Sequence, residues 1–166
     1  MPRLGRLFGR EGGGSPYLGL RAQVLHLDPA TLAIPEGDWM GASVALMEMA
    51  LRGGTASLVA VADGTVSLYI STGGGTLGAG ERPAVRAAAK RFLRAASDAA
   101  SSMTAATEFP LPEAGHVRFH VRTPEGDVTA GAPEDAVRAR RHPLSPLYMA
   151  GQDVITEIRV ASEARG

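Results

Sequence analysis

The residues of this chain that most suggest chemistry form a glycine-rich stretch, TGGGTLGAG, at positions 72–80. Gly73, Gly75 and Gly78 match the spacing G-x-G-x-x-G, and a helical pattern follows them. Free backbone amides at a helix N-terminus attract anions, because the helix dipole adds positive potential there. The stretch predicts a small-anion or nucleotide site, with the candidate residues Gly73, Gly74, Gly75, Thr76, Gly78 and Gly80.

The sequence on either side of this glycine stretch favours a structural role instead. The strand predicted before it is the second arm of a hairpin, whereas the dinucleotide fingerprint requires a parallel βαβ unit. No G-K-[ST] sequence is present, so the phosphate-binding lysine of a P-loop is missing. Three interpretations stay open: a bend in which glycines allow close packing, a phosphate or nucleotide site, and a partner-binding loop.

A line of cations lies on the predicted helix that follows the glycines. Arg82, Arg86, Lys90 and Arg94 recur every four residues, and Arg91 lies next to them. Such a stripe is able to bind a polyanion. The same pattern also occurs on any surface helix, whose charged side faces water opposite its apolar side. The chain has 17 basic and 17 acidic residues, which gives a formal net charge of zero. We therefore expect a solvated face and no nucleic-acid partner.

The histidines and hydroxyl side chains form no recognisable metal site or catalytic motif. His116 and His120 share one face of a predicted strand, but four strand residues span roughly 13 Å, too far for one metal ion. No serine has a G-x-S-x-G context, and Ser145 fits a helix cap better than a nucleophile. The chain has no cysteine, which excludes thiolate chemistry. We predict no catalytic residue, metal or cofactor, although catalytic groups that meet from distant positions leave an enzyme open.

Composition favours a single cytoplasmic domain. The chain has 166 residues, of which 45% are hydrophobic, enough for one sizeable core. It contains no apolar run long enough for a membrane span or a signal peptide. Arginines around Leu4, Leu7 and Phe8 leave a weak N-terminal contact with a membrane or partner as an alternative to a frayed tail. Lys90 is the only lysine, which we attribute to the coding bias of a GC-rich bacterial genome.

The first predicted elements are a strand and a helix. Residues 17–27 alternate well enough for a strand, and a helix is the alternative. Asp38 is a good N-cap for a helix that ends at Gly53-Gly54. The apolar residues behind it recur at helical offsets: Met40, Val44, Met47 and Leu51.

A β-hairpin is the clearest local signal. Small and β-branched residues fill positions 55–62 and 65–71, on either side of Asp63-Gly64. An Asp-Gly pair favours a type I′ turn, in which both central residues have positive φ. The first arm is apolar on both faces, so we expect it inside the sheet.

The second half predicts another helix, another hairpin and a terminal helix. Pro83 begins a helix whose buried stripe runs from Val85 to Met103. Ser145-Pro146 predicts an N-cap and first turn, with a terminal strand over 154–160 as the competing interpretation. Between them we expect a strand at 117–121, a turn at 123–127, a returning strand at 128–130 and a short helix at 133–140.

The sequence therefore predicts an α+β fold with the order (β)-α-β-β-α-β-β-α. Two hairpins form an antiparallel sheet, and the helices pack on it as a second layer. Residues 17–160 are expected to be one domain, with a flexible tail at 1–16 and a C-terminal tail at 161–166.

Two resemblances add to this reading. The segments GGTASLVAVADGTVSLYISTGGGTLGAG and HPLSPLYMAGQDVITEIR resemble an uncharacterised family of small bacterial proteins, over roughly residues 38–160. More remotely, the α-β-β-α-β-β order is similar to the roadblock and profilin-like architecture. That resemblance implies a non-enzymatic, often homodimeric regulator, and it needs a fifth strand from residues 17–27 or 154–160. It transfers no binding residue.

Our leading hypothesis from the sequence is a non-catalytic cytosolic interaction or regulatory module that binds a protein partner or itself as a homodimer. The alternative is a small-anion or nucleotide binder that uses the glycine-rich loop 72–80.

Overall fold

The computed structural model of the protein describes residues 15–34 and 41–165. The predicted helix cap Asp38, and the predicted N-terminal contact around Leu4, Leu7 and Phe8, lie outside these residues. The described helices are α1 (Pro16–Leu25), α2 (Pro83–Ala99), α3 (Glu134–Arg138) and α4 (Ser145–Glu163). The described strands are β1 (Val44–Leu51), β2 (Gly54–Val61), β3 (Val66–Ile70), β4 (Gly75–Thr76), β5 (Thr104–Ala105), β6 (His116–Thr123) and β7 (Gly126–Pro133).

All seven strands join one antiparallel sheet in the order β4-β3-β2-β1-β6-β7-β5. The two predicted hairpins are present, as β2-β3 and β6-β7, and β1 lies between them. Glu48 on β1 is opposite Ser57 on β2, while Leu46 on β1 is opposite His120 on β6. The predicted α+β class with an antiparallel sheet of hairpins is confirmed.

The predicted helix over residues 40–51 is wrong throughout its described part, because residues 41–43 are not helical and Val44–Leu51 is the strand β1. Its first six residues are buried, so both faces of the strand are covered. A strand that is buried on both faces loses the alternation of polar and apolar residues. The apolar run therefore matched a helical period without being a helix.

The segment at 17–27 is helical, so the alternative interpretation is confirmed and the strand is wrong. The terminal segment 154–160 also belongs to a helix, α4, which excludes the competing strand and runs beyond residue 160. Neither segment supplies the fifth strand that a roadblock-like architecture requires; the additional long strand is β1. That resemblance stays a prediction.

The β2-β3 hairpin has a different turn from the predicted type I′. Arg140 is the only non-glycine residue of the described part with positive φ, so Asp63 does not have it. Gly64 has a φ of 95°, and its amide donates to the Val61 carbonyl at 3.0 Å. The Asp63 carboxylate accepts from the Thr65 amide at 2.9 Å. This is a three-residue loop, in which only the glycine needs the left-handed conformation.

Apolar side chains form one cluster on each face of the sheet. The larger cluster packs the sheet against α2 and α4, and includes Met47, Phe92, Phe119 and Val154. These helices and the sheet form the two predicted layers. The smaller cluster packs α1 on the opposite face, where Tyr17 and Val24 meet strand residues such as Leu46. Within the described part of the chain, no helix is both long and apolar enough to cross a membrane.

Candidate functional site

The glycine-rich stretch begins with a second, smaller hairpin that leads from β3 to β4. The Gly73 amide donates to the Ile70 carbonyl at 3.0 Å, and the Ile70 amide donates to the Gly74 carbonyl at 3.1 Å. A Cβ atom on Gly75 would lie 2.3 Å from the Leu68 carbonyl oxygen. The first three candidate glycines therefore shape a tight turn and a close strand contact.

The rest of the stretch connects this hairpin to α2. A Cβ atom on Gly80 would lie only 1.9 Å from the Gly64 carbonyl oxygen, so the backbone approaches the β2-β3 loop directly. The Gly80 carbonyl accepts a hydrogen bond from Arg86 Nε at 2.9 Å. Both contacts hold the start of α2 against the sheet, as the bend interpretation predicts.

A cavity of about 50 Å³ lies between this stretch and the end of α4. Of the predicted anion-site residues, Thr76 and Gly78 line it. Gly73, Gly74, Gly75 and Gly80 do not. Four charged or polar residues also line it: Arg82 from the basic stripe, Ser162 from α4, Arg165 just after α4, and the acidic residue Glu81.

The predicted basic stripe runs along the outer side of α2. Arg86, Lys90, Arg91 and Arg94 are exposed, while Arg82 is half-buried. Arg86 also donates from Nη2 to the Glu81 carbonyl at 3.3 Å, which ties one member of the stripe to the backbone. Of the stripe, Arg86 is therefore tied to the backbone, while Lys90, Arg91 and Arg94 are exposed farther along the helix.

A buried polar cluster beneath α1 is the most unusual site of the described chain, and the sequence reasoning missed it. Glu48 lies on β1, opposite Ser57 on β2, which in turn is opposite Tyr69 on β3. These three side chains therefore form a row across the sheet. Tyr17 and Arg21 reach down to the row from α1.

An ion pair between Arg21 and Glu48 forms the centre of the cluster. Arg21 Nη2 donates to Glu48 Oε1 at 2.7 Å, and Arg21 Nε donates to Glu48 Oε2 at 2.9 Å. The same Nη2 donates to the Phe109 carbonyl at 2.6 Å. Glu48 has no exposed surface and Arg21 is 9% exposed, so the pair is shielded from water. This two-pronged geometry is the strongest that arginine makes with a carboxylate.

Two hydroxyl groups complete the shell around the Glu48 carboxylate. Ser57 Oγ donates to Glu48 Oε2 at 2.5 Å, which leaves the Tyr17 hydroxyl to donate to Ser57 Oγ at 2.7 Å. The Tyr17 and Tyr69 rings meet edge to face, with their centroids 5.6 Å apart. The Tyr69 hydroxyl is buried and has no hydrogen-bond partner within the part of the chain that the structure describes. Such an unpaired group is unfavourable inside a protein.

His120 closes the cluster on the side of β6. Its Nε2 lies 3.2 Å from both Glu48 Oε1 and the Pro110 carbonyl, so this nitrogen carries a proton. Its Nδ1 lies 3.0 Å from the Thr129 hydroxyl. The Phe109 ring packs edge to face on the imidazole at 5.3 Å. The loop before β6 therefore covers the histidine, which is 1% exposed.

A second arginine attaches the C-terminal end of α1 to the sheet. The Arg122 guanidinium on β6 donates to the carbonyls of Leu25 and Leu27. Its Nε also donates to Asp127 Oδ1 at 2.8 Å. A cation at this end of a helix binds its unpaired carbonyls and complements the dipole. Polar contacts therefore anchor α1 at both its middle and its end.

The environment of Glu48 keeps its carboxylate ionised. Burial disfavours the charge, but hydrogen bonds from His120, Arg21 and Ser57 outweigh that effect and lower the pKa of Glu48 to about 2. Burial is also the main reason why the pKa of Tyr17 rises to about 12. The carboxylate is thus permanently charged near neutral pH and the phenol permanently neutral, which suits a structural contact better than proton transfer.

The cavity beside the cluster is small. It has a volume of about 10 Å³ and is lined by residues that include Val24, Phe109 and His120. A cavity of this size is at the lower limit for holding one water molecule. Among the described residues, no three histidine, aspartate or glutamate side chains lie close enough to hold a metal ion. The arrangement accordingly binds α1 to the sheet and leaves no room for a substrate.

Only one signal in the sequence pointed to this cluster. Glu48 stands alone in the apolar run of β1, and an acidic residue in such a run is buried only when it is paired. Nothing local identified Arg21 as its partner, since the two lie 27 residues apart. Ser145, predicted as a helix cap, is instead the first residue of α4 after the N-cap Leu144. Its hydroxyl accepts from the His142 amide at 3.2 Å.

Comparisons of the chain with protein-family models, with curated proteins and with solved structures find no match. Inferences about its function therefore come from its own residues.

Proposed function

We propose that the protein is a non-catalytic, cytoplasmic protein-interaction module that self-associates. The observation that carries the non-catalytic part is the closure of the polar cluster around Glu48. Arg21, Ser57 and His120 surround its carboxylate, and the adjacent cavity has room for about one water molecule. Catalysis needs a reactive group beside space for a substrate.

Self-association is supported by the charge and the surface of the chain. A formal net charge of zero means that two copies do not repel each other strongly. Large apolar side chains remain exposed on different elements, among them Leu18, Leu77 and Val160, each about half exposed. The mutual burial of such side chains favours contact with another protein surface.

Sedimentation velocity over a wide concentration range tests this proposal. We expect the mass to rise from that of the single 17.2 kDa chain to about twice this value as the concentration increases. A single-chain mass at every concentration, together with no partner recovered on purification from the native host, would contradict it.

A second candidate function, small-anion or nucleotide binding, is favoured by the 50 Å³ cavity near the start of α2. Two guanidinium groups, those of Arg82 and Arg165, line this cavity together with Gly78. Arginines bind phosphate through paired hydrogen bonds. Glu81 lines the same cavity and weakens the attraction for an anion.

Thermal denaturation with and without millimolar inorganic phosphate or ATP tests the second candidate. Binding raises the unfolding temperature, because the ligand stabilises only the folded state. An Arg165→Gln variant should lose that rise while keeping the same unfolding temperature without ligand. If neither ligand raises the unfolding temperature of the wild type, the anion candidate is wrong and the interaction module is unaffected.

A further inference from the structure

Helix α2 concentrates positive charge within a chain that is neutral as a whole. No acidic residue occurs between Glu81 and Asp98. The same segment carries five cations: Arg82, Arg86, Lys90, Arg91 and Arg94. The exposed side of the helix is therefore predominantly cationic, with Asp98 near its C-terminal end as the one acid of the helix, because the apolar side is buried against the sheet.

Three of these cations have no acidic partner among the described residues. Lys90, Arg91 and Arg94 are exposed, and none of them makes an ion pair with another described residue. The buried residues Ala89, Phe92 and Leu93 lie on the other side of the helix. We call Lys90, Arg91 and Arg94 the α2 cationic patch.

Helix α4 carries acidic residues on its outer side, and its one cation, Arg159, is also exposed. Asp153, Glu157 and Val160 follow each other at i, i+4 and i+7, the spacing of one helix face. Asp153 is exposed, Glu157 is half-buried and Val160 is 50% exposed. Neither acid makes an ion pair with another described residue. We call these three residues the α4 acidic patch.

The two helices lie side by side in opposite directions. A Cβ atom on Gly151 of α4 would be 3.3 Å from the ring of Phe92, near the middle of α2. The cavity near Val85, at the start of α2, is also lined by Ile158, near the end of α4. Lys90 lies two residues before Phe92, and Asp153 lies two residues after Gly151. In antiparallel helices these two positions are at the same height along the helix axes.

We infer that a second copy of the chain docks on the outer surface of α2 and α4, with each cationic patch on the acidic patch of the other copy. This inference rests on the proposed self-association and names the surface that performs it. A two-fold axis parallel to the helices places α2 of one copy over α4 of the other. Lys90 of one copy then lies level with Asp153 of the second copy, and the contact occurs twice.

The charges select this arrangement over the other way of stacking the helix layers. A two-fold axis perpendicular to the helices places α2 over α2, so that the two cationic patches face each other. Like charges across an interface are strongly unfavourable. Val160 adds an apolar contact within the acidic patch, which becomes shielded from water in the favoured arrangement.

A nucleic-acid partner for the cationic patch is less consistent with the same residues. Single-stranded nucleic acid binds to exposed aromatic side chains on which its bases stack. The only aromatic residue of α2 is Phe92, which is fully buried. The sequence pI of about 6.9 is also far from the basic values of domains that bind nucleic acid through charge.

Charge reversal followed by charge exchange tests the interface. In sedimentation equilibrium at low salt, Lys90→Glu with Arg94→Glu should raise the dissociation constant of the dimer at least about tenfold, because attraction becomes repulsion. Asp153→Lys with Glu157→Lys should do the same. The variant that carries all four substitutions should dimerise within about threefold of the wild type, because residues 90 and 94 are again opposite in charge to residues 153 and 157.

The matched control reverses two exposed arginines elsewhere, Arg52→Glu with Arg141→Glu, and changes the net charge by the same amount. It should leave the dissociation constant within about threefold, because the charges lie away from the proposed contact. Circular dichroism establishes that each variant is folded.

Two results would overturn the interface but not self-association. The wild type dimerises, and the α2 reversal leaves the dissociation constant unchanged; or the four-fold variant fails to recover the wild-type dissociation constant. A monomeric wild type would overturn both, and a duplex or single-stranded DNA probe that binds the patch would assign it to nucleic acid instead.

Discussion

Arg21 on α1 and Glu48 on β1 form a buried ion pair, with Nη2 and Oε1 2.7 Å apart, that joins the first helix to the middle of the sheet. Glu48 has no exposed surface. A charge in such a place is stable only with a partner and further hydrogen bonds. Ser57 and His120 supply those bonds, so the position of α1 is specified by a few polar contacts as well as by apolar packing.

Neutralising the central carboxylate should strongly destabilise the fold. We expect Glu48→Gln to lower the free energy of unfolding by about 3 kcal/mol, because Arg21 remains buried without its counter-charge. Urea unfolding followed by circular dichroism measures the change. As a control, Glu163→Gln at the exposed end of α4 should stay within about 0.5 kcal/mol of the wild type. Equal stabilities for the two variants would contradict the role of the ion pair.

The same carboxylate should make stability depend on acidic pH. The pKa of Glu48 is about 2 in the folded protein against 4.5 for an unperturbed glutamate. A group whose pKa is lowered by folding stabilises the protein above its unfolded value, and this contribution disappears as the pH falls through the folded value. We expect a loss of roughly 3 kcal/mol between pH 5 and pH 2 in urea titrations. The Glu48→Gln variant should not show this loss of stability. If its stability falls with pH as steeply as that of the wild type, folding does not stabilise the ionised carboxylate.

Two buried tyrosines should respond oppositely to removal of the hydroxyl group. Tyr69→Phe removes a buried hydroxyl that has no partner among the described residues, so it should raise the free energy of unfolding by about 1 kcal/mol. Tyr17→Phe makes the same chemical change but breaks the hydrogen bond with Ser57, and should lower it by about 1 kcal/mol. Thermal unfolding of the pair compares them directly. A loss at both positions would indicate that a buried water binds the Tyr69 hydroxyl.

Gly80 should tolerate no side chain, whereas Gly19 should benefit from one. Gly80→Ala places a methyl group against the Gly64 carbonyl oxygen, so we expect a loss of about 2 kcal/mol or more in urea unfolding. Gly19 lies within α1 and has open space around the added Cβ, so Gly19→Ala should stabilise by about 1 kcal/mol through helix propensity. A harmless Gly80→Ala would mean that the close approach to the β2-β3 loop does not hold the start of α2.

Local sequence patterns predicted helices and strands correctly where one face of the element is exposed to water. The buried stripe of α2 follows from its spacing, because the opposite side is charged and exposed. The β2-β3 and β6-β7 hairpins follow from turn residues between β-branched runs. For β1 the pattern wrongly predicted a helix. A strand that is buried on both faces shows no alternation of polar and apolar residues, so its sequence does not identify it as a strand.

The glycine-rich stretch is a second case in which the local spacing of residues did not predict their role. Its spacing is that of a nucleotide loop, yet Gly73 and Gly74 form a hairpin turn and Gly80 packs on another backbone segment. The sequence alone indicated a bend or an anion site. The bend is seen in the structure, and the anion site remains a prediction that the phosphate and ATP experiments test.

The α+β class, the two hairpins and the apolar side of α2 follow from the sequence, because they depend on residues near one another in the chain. The tertiary structure alone decided that Arg21 meets Glu48, that β1 lies between the hairpins, and that the charged faces of α2 and α4 lie side by side. Each of these relationships joins residues far apart in sequence. Such partners are selected by the packing of the whole domain, and no local period contains that information.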